Sequence, residues 1–249
     1  MDWFPLWNSL RIALVSTAIT FFLGICTAHY IAKLPRIVKG TLDCILTIPL
    51  VLPPTVVGFL ILKVLGPRGA VGRWVLDWFG VRITMTWYAA VFAVVAVTFP
   101  LMYRTARGAF EALDPSLIHA GQTLGCSNTY IFWRIIMPCC KTGILAGTVL
   151  TFARGLGAYG ATSMVSGYIQ GQTATVSTTV YQAYRQNEDA LAYLWIAVNL
   201  AISFCVMVAV NMMEKRAAKG REVMGHGAFG THPKAAGQLP ARCVLSGRK

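Results

Sequence analysis

Unbroken apolar stretches long enough to cross a bilayer constrain this chain more than any other feature. Roughly residues 10–32, 44–65, 87–103, 142–165 and 191–213 read this way. A hydrocarbon core about 30 Å thick is crossed by about 20 apolar helical residues, each rising about 1.5 Å. No water is available there for backbone N–H and C=O groups, so a span is either a helix or a strand of a closed barrel. These runs are too long, and too little alternating, for barrel strands. The expected fold class is all-α: a polytopic membrane protein with about five transmembrane helices. Composition agrees, since 12% of the residues are charged where a soluble domain carries about 25%.

The charges that remain are unevenly placed. KLPRIVKG follows the first run, a long polar stretch opening RTARGAFEALDPS follows the third, and EKRAAKGRE follows the fifth. These alternate loops and the C-terminal tail hold most of the Lys and Arg of a chain with formal net charge +13. The positive-inside rule makes that face cytoplasmic, with the N-terminus outside and the C-terminus inside. Arg68, Arg73 and Arg82 in an opposite loop make the split a bias and not a clean division. Residues 1–219 form the expected membrane domain. Residues 220–249, rich in Gly, Pro, Ala and basic side chains, read as a disordered cytoplasmic tail drawn to anionic lipid. The N-terminal run lacks a basic start and a small-residue cleavage site, and reads as a retained span. The loop GPRGAVGRWVLDWFGVRITMTW suits a short amphipathic helix at the membrane surface, with tryptophans at headgroup level.

Several classes of function are disfavoured. The seven cysteines form no CxxC and no cluster at metal-ligand spacing, and most lie in or beside apolar runs, where they act as small hydrophobes. The spans hold almost no Asp or Glu, so no general acid/base pair assembles, and an enzyme is not expected. An ion-coupled secondary transporter, the rival reading, usually carries acids within spans and internal repeats, neither of which is found. No GxxxxGK[ST] signature is present, so the chain binds no ATP as a P-loop protein and any ATP energy comes from a partner. No resident cofactor or metal and no nucleic-acid partner is expected.

Prolines mark the second run. IPLVLPPTVVGF sets Pro49, Pro53 and Pro54 in one apolar segment, each lacking an amide donor and clashing with the preceding turn. The helix must kink or break. Two readings stand: the break faces protein or a watery cavity, or it is a kink that serves packing.

The loop of residues 104–141 contains EALDPSLIHAGQTLGCSNTYIFWRIIMPCC. Asp114 and Pro115 open a helix from about Ser116, Gly125 ends it, and a second short helix runs from Thr129 to a stop at Pro138. The spacing His119, Ala120, Gly121, then Gly125, then Ile135, Met137 and Pro138 resembles the cytoplasmic EAA loop of ATP-binding-cassette (ABC) importer permeases. Leu124 falls within the same register. That motif reads Glu-Ala-Ala, three residues, Gly, nine residues, Ile, one residue, Leu-Pro. The resemblance implies a type I ABC importer permease fold and a coupling helix that docks into cytoplasmic ABC ATPase subunits, which bind the ATP and Mg2+. It implies a homodimer, an extracytoplasmic oxyanion-binding protein and a bacterial inner-membrane location. His119 stands where the motif has Glu, and Gly121 where it has Ala. His119 is read either as part of the coupling contact or as an exposed loop histidine.

Residues 8–215 extend the likeness. PLVLPPTVVGF, LGPRGAVGRW and FARGLGAYGATSMVSGYIQGQTATVSTTVY resemble molybdate permeases, and sulfate or tungstate permeases less closely. The family places Glu four residues after Arg154; this chain has Ala158. A dianion path needs water, hydrogen-bond donors and modest positive charge. The expected pathway set is Pro53, Pro54, Arg154, Gly157, Gly160, Thr162 and Ser163. Arg154, near the middle of the fourth run, either lines the path or snorkels as a structural arginine. Thr162 and Ser163 either donate to an oxyanion or bond back to their own helix.

Overall fold

In the computed structural model, residues 3–229 are described, and every regular element among them is helical. Helix α1 spans Phe4–Ala32, with Pro5 in the first turn, where a missing N–H costs no hydrogen bond. Its buried stripe is small: Ser9, Ala13, Ser16, Thr20, Gly24 and Ala28, at helical spacing. That stripe lets helix α5, Trp87–Glu111, lie close and parallel. A Cβ on Gly24 would stand 2.8 Å from Met102 Cγ. Ser16 Oγ donates to the Val91 carbonyl at 3.4 Å, and Thr20 and Thr98 share a hydrogen bond of 3.4 Å. Small side chains permit the approach and hydroxyls seal it, as expected where helices associate without a hydrophobic driving force.

Between them run α2 (Arg36–Val51), α3 (Pro54–Leu65) and α4 (Ala70–Phe79). The pair α2–α3 is bent by 105° at its break. Helix α4 is the expected short surface helix: Trp74, Trp78 and Phe79 are exposed, and Gly80 ends it at φ 64°. Thr86 then caps α5, accepting from the Ala89 amide at 3.3 Å.

After α5 come α6 (Pro115–Thr123), α7 (Asn128–Ile131), a π turn at Phe132–Ile136, and α8 (Met137–Leu156). The expected stop at Pro138 does not occur: residues 128–156 are one apolar helix of span length. A proline ring clashes with the carbonyl four residues back. The wider π turn, in which Met137 N–H bonds Phe132 O, relieves that clash, and the helix continues. The fourth span therefore begins earlier than expected and ends at Leu156, not at residue 165.

Helix α9 (Gly160–Val165) is a separate piece. Helix α10 (Val176–Arg185) opens with a Thr175/Thr178 capping box, and its approach is pinned to α1. Asn8 Nδ2 donates to Ala174 O at 3.0 Å, and Val176 N–H donates to Ser9 Oγ at 2.9 Å. Helix α11 runs Asp189–Phe229. It thus continues past residue 220, where the tail was expected to start; residues 230–249 lie outside the described residues. Among the described residues, four helices are long and apolar enough to cross a membrane, and the bent α2–α3 pair makes a fifth if it is counted as one span.

The core follows α5. One cluster joins Ile25, Ala28 and Ile31 of α1 with Met102, Tyr103 and Ala106 of α5 and Ile131, Cys140 and Ile144 of the 128–156 helix. A second joins Val57 of α3 with Ala89, Ala93 and Val97 of α5 and Ala161 and Val165 of α9.

Candidate translocation and coupling sites

The residue before a proline avoids the α region, so the sequence Leu52-Pro53-Pro54 forces two successive extended residues. Leu52 has ψ 142° and Pro53 ψ 136°, and α3 restarts at Pro54, where a proline suits a first turn. On the other side, α8 ends at Gly157, and the chain passes through Ala158 and Tyr159 before α9 begins at Gly160. The two interruptions face each other. A Cβ on Gly58 would lie 2.9 Å from Ala161 Cα, and one on Gly160 would lie 3.1 Å from the Thr55 amide nitrogen. Four of the expected pathway residues, Pro53, Pro54, Gly157 and Gly160, thus belong to a pair of helix breaks packed backbone to backbone.

Arg154 lies in the last turn of α8 and not at mid-helix, because the helix stops three residues later. Its neighbour Gly155 is buried against Ala13 and Val94, so this turn packs on the span-length helices α1 and α5. The guanidinium is exposed, and no ion pair to it forms among the described residues. Ala158, in the place of the family's Glu, packs on the apolar cluster of Ile12, Val91 and Val94. The last turn of a helix is a favourable place for a cation, through the aligned carbonyl dipoles.

Thr162 and Ser163 are bound back to their own backbone. Thr162 Oγ1 donates to Ala158 O at 2.5 Å and contacts Tyr159 O at 2.9 Å, and it is buried. Ser163 Oγ donates to Gly160 O at 3.1 Å. Of the two readings for these hydroxyls, the structure supports back-bonding.

An open cleft of about 560 Å³ beside the breaks holds donors that the sequence reading missed. Tyr159, Ser177, Tyr181, Tyr184 and Tyr193 line it together with Asp189. Ser177, Tyr181 and Tyr184 lie at i, i+4 and i+7 on α10, a spacing visible in the sequence and hidden by the polar look of the loop around it.

At the other end, the 112–138 loop forms a knob. Asp114 accepts from the Ser116 amide at 2.9 Å, which holds its carboxyl below the ordinary aspartate range. Gly125, at φ 75°, closes α6: Cys126 N–H bonds Gly121 O at 3.1 Å, and Gly125 N–H bonds Gln122 O at 2.9 Å. This is a Schellman closure, which needs a left-handed residue at that point. Gly121 is buried, and a Cβ there would stand 3.1 Å from both Ile131 and Ile135. The small residue therefore serves the contact between the two short helices. His119 and Ala120 are exposed on α6, and His119 Nδ1 lies 3.3 Å from Gln122 Oε1. Leu124 is 82% exposed, and none of the described residues covers it. Met137 and Pro138 fall in the first turn of α8, next to the π turn that contains Ile135.

A second feature was not foreseen. Lys39 pairs with Glu111, Arg107 pairs with Asp43 and, at 2.9 Å, with Glu111, and Tyr103 O–H donates to Asp43. The sequence signal is two matching stripes, 39/43 on α2 and 103/107/111 on α5, each at i,i+4 spacing.

Comparison with known proteins places this architecture. The Molybdenum transport system permease protein ModB of Escherichia coli (strain K12) is 35% identical over 226 residues, 90% of this chain and 97% of that protein. The Sulfate transport system permease protein CysW of Synechocystis sp. is 29% identical over 211 residues, 85% of this chain and 76% of that protein. Among solved structures, a bacterial ABC transporter involved in the import of the acidic polysaccharide alginate shares the fold, with a TM-score of 0.69 at 19% identity, covering 86% of this chain and 78% of that one. Residues 20–219 match the family described as binding-protein-dependent transport system inner membrane component, and the chain belongs to that family.

Proposed function

We propose that this chain forms the transmembrane path of an ABC importer for molybdate. Two copies pair around the path, cytoplasmic ATPase subunits carrying ATP and Mg2+ dock on the 112–138 knob, and an extracytoplasmic oxyanion-binding protein delivers the anion. In this reading the knob end is cytoplasmic, the N-terminus lies outside and the C-terminus inside, consistent with the lysines and arginines that flank the knob.

One observation carries the reading: two helix breaks packed against each other at the level of the spans. Irregular backbone is tolerated at that depth only where protein or a water-filled cavity meets it. Close glycine contacts let the two pieces slide or part with little side-chain rearrangement. Arg154, exposed one turn from the break, supplies positive charge without the acidic partner that would fix it. A single weakly held cation suits a path from which a dianion must be released. The likeness to the molybdenum permease supports the substrate, and the sulfate permease supplies the second reading.

The test is uptake into proteoliposomes holding the chain with its cognate ATPase and binding protein, with molybdate, tungstate and sulfate in competition. ATP-dependent molybdate uptake, little reduced by excess sulfate, is expected. Sulfate preference would overturn the substrate, and uptake independent of ATP would overturn the importer assignment.

A further inference from the structure

The ionic chain between α2 and α5 has no role in the path or in the docking contact, yet it joins the elements that carry both. Glu111 is the last residue of α5, three residues before Asp114, the cap of α6. Asp43 sits on α2, nine residues before Leu52, where the break begins, a distance of about 14 Å along the helix, which runs on through Pro49. Between them the contacts run without a gap: Lys39 to Glu111, Glu111 to Arg107, Arg107 to Asp43, and Asp43 to Tyr103. Tyr103 is fully buried, and the Asp43 and Arg107 side chains are about four-fifths covered. Apart from these ion pairs, α2 meets the bundle through Leu42 and Leu46, which are only partly buried against the core cluster, and none of its residues is fully buried. The ion pairs are the polar contacts that fix how α2 sits along α5.

Resting on the importer reading above, we propose that Lys39, Asp43, Tyr103, Arg107 and Glu111 form a rigid clamp that makes α2 move with the end of α5. Displacement of α6 by the ATPase thereby reaches the Leu52–Pro53 break. They are positioning residues, with no contact to the transported anion. The planar guanidinium donates from Nη1 to Asp43 and from Nε to Glu111, and its fixed fork sets orientation as well as distance, so Arg107 can hold both carboxylates as the unit moves.

The test uses the whole reconstituted complex and reads anion uptake and ATP hydrolysis together. Asp43→Asn and Arg107→Gln are expected to lower uptake per ATP by about tenfold while hydrolysis continues, as for loss of a coupling element. An unchanged ratio in both variants overturns the clamp. A second arm joins Lys39→Cys to Glu111→Cys with a short bis-maleimide, with the wild-type complex treated identically as control. If α2 and the end of α5 move as one body, the joined complex keeps its uptake; loss of uptake on joining shows that they must separate, and overturns the proposal. A wild-type complex that hydrolyses ATP yet accumulates no oxyanion would instead overturn the importer reading, and the clamp with it.

Discussion

Gly58 and Gly160 bring the two breaks together; a methyl group has no room at Gly58 and only a tight fit at Gly160. The Gly58 Cβ position lies 2.9–3.0 Å from backbone atoms of Ala161, which cannot rotate aside as a side-chain tip would. Gly58→Ala should therefore force α3 and α9 apart, at a cost of about 1–3 kcal/mol, lowering the thermal midpoint of the detergent-solubilised protein. Ala at Gly40, which has nothing within 4 Å, is the matched control and should leave the midpoint unchanged or raised. At Arg154 the prediction concerns function: Arg154→Ala should cut uptake about tenfold with assembly intact, as for loss of one electrostatic contact. Full uptake by that variant would assign the arginine a structural role. Asp114 carries a pH dependence. Its depressed carboxyl pKa means that its capping contribution is complete above the ordinary aspartate value, and is lost as pH falls through the lower folded value. Amide exchange at Ser116, compared between neutral pH and pH about 3, reads this directly. At this scale the sequence showed which residues are unusual and not what they touch. Gly121 looked like a weakness in a helix, and it is a contact point against Ile131 and Ile135, which lie ten and more residues away and are invisible to local propensity.

Helix ends were legible wherever a single residue dictates the backbone. The Pro53-Pro54 pair, Asp114 with Pro115, and Gly125 all end or begin helices as their stereochemistry requires. Pro138 was misleading, because one extra residue in the preceding turn lets a proline pass without a break. That extra residue sets the rotation of the knob relative to α8. Pro138→Ala restores an amide that can close an ordinary turn, which would rotate residues before it by about 100°. Uptake per ATP should then fall while the helix content measured by circular dichroism stays the same. The fourth span was misplaced because residues 142–165 are mostly apolar, and hydropathy alone cannot see the stop at Gly157. At the end of α6, the exposed Leu124 lies on the proposed docking face. Leu124→Ala should weaken ATPase association by about tenfold, in the range for loss of a buried interface anchor, as measured by co-purification across detergent dilution.

The whole molecule is a bundle built around α5, with one end carrying the knob and the other the breaks and the pinned 166–175 loop. Its class was plain from five apolar runs, because a bilayer leaves a chain few choices of backbone. What joins the two ends was not plain, because Lys39, Asp43, Arg107 and Glu111 are spread over two polar flanks and meet only after α2 folds back along α5. The proposed pathway surface was half legible: the prolines and glycines marked the helix breaks, while the cleft lined by the tyrosines of α10 required the fold. The central claim is that the facing breaks line a watery path, and cysteine accessibility tests it most directly. In the assembled complex, Gly157→Cys should react with a charged, membrane-impermeant thiol reagent faster than the wild-type background, and ATP with vanadate should change that rate. Reaction no faster than that of Phe204→Cys, on an exposed apolar face of α11, would contradict the account.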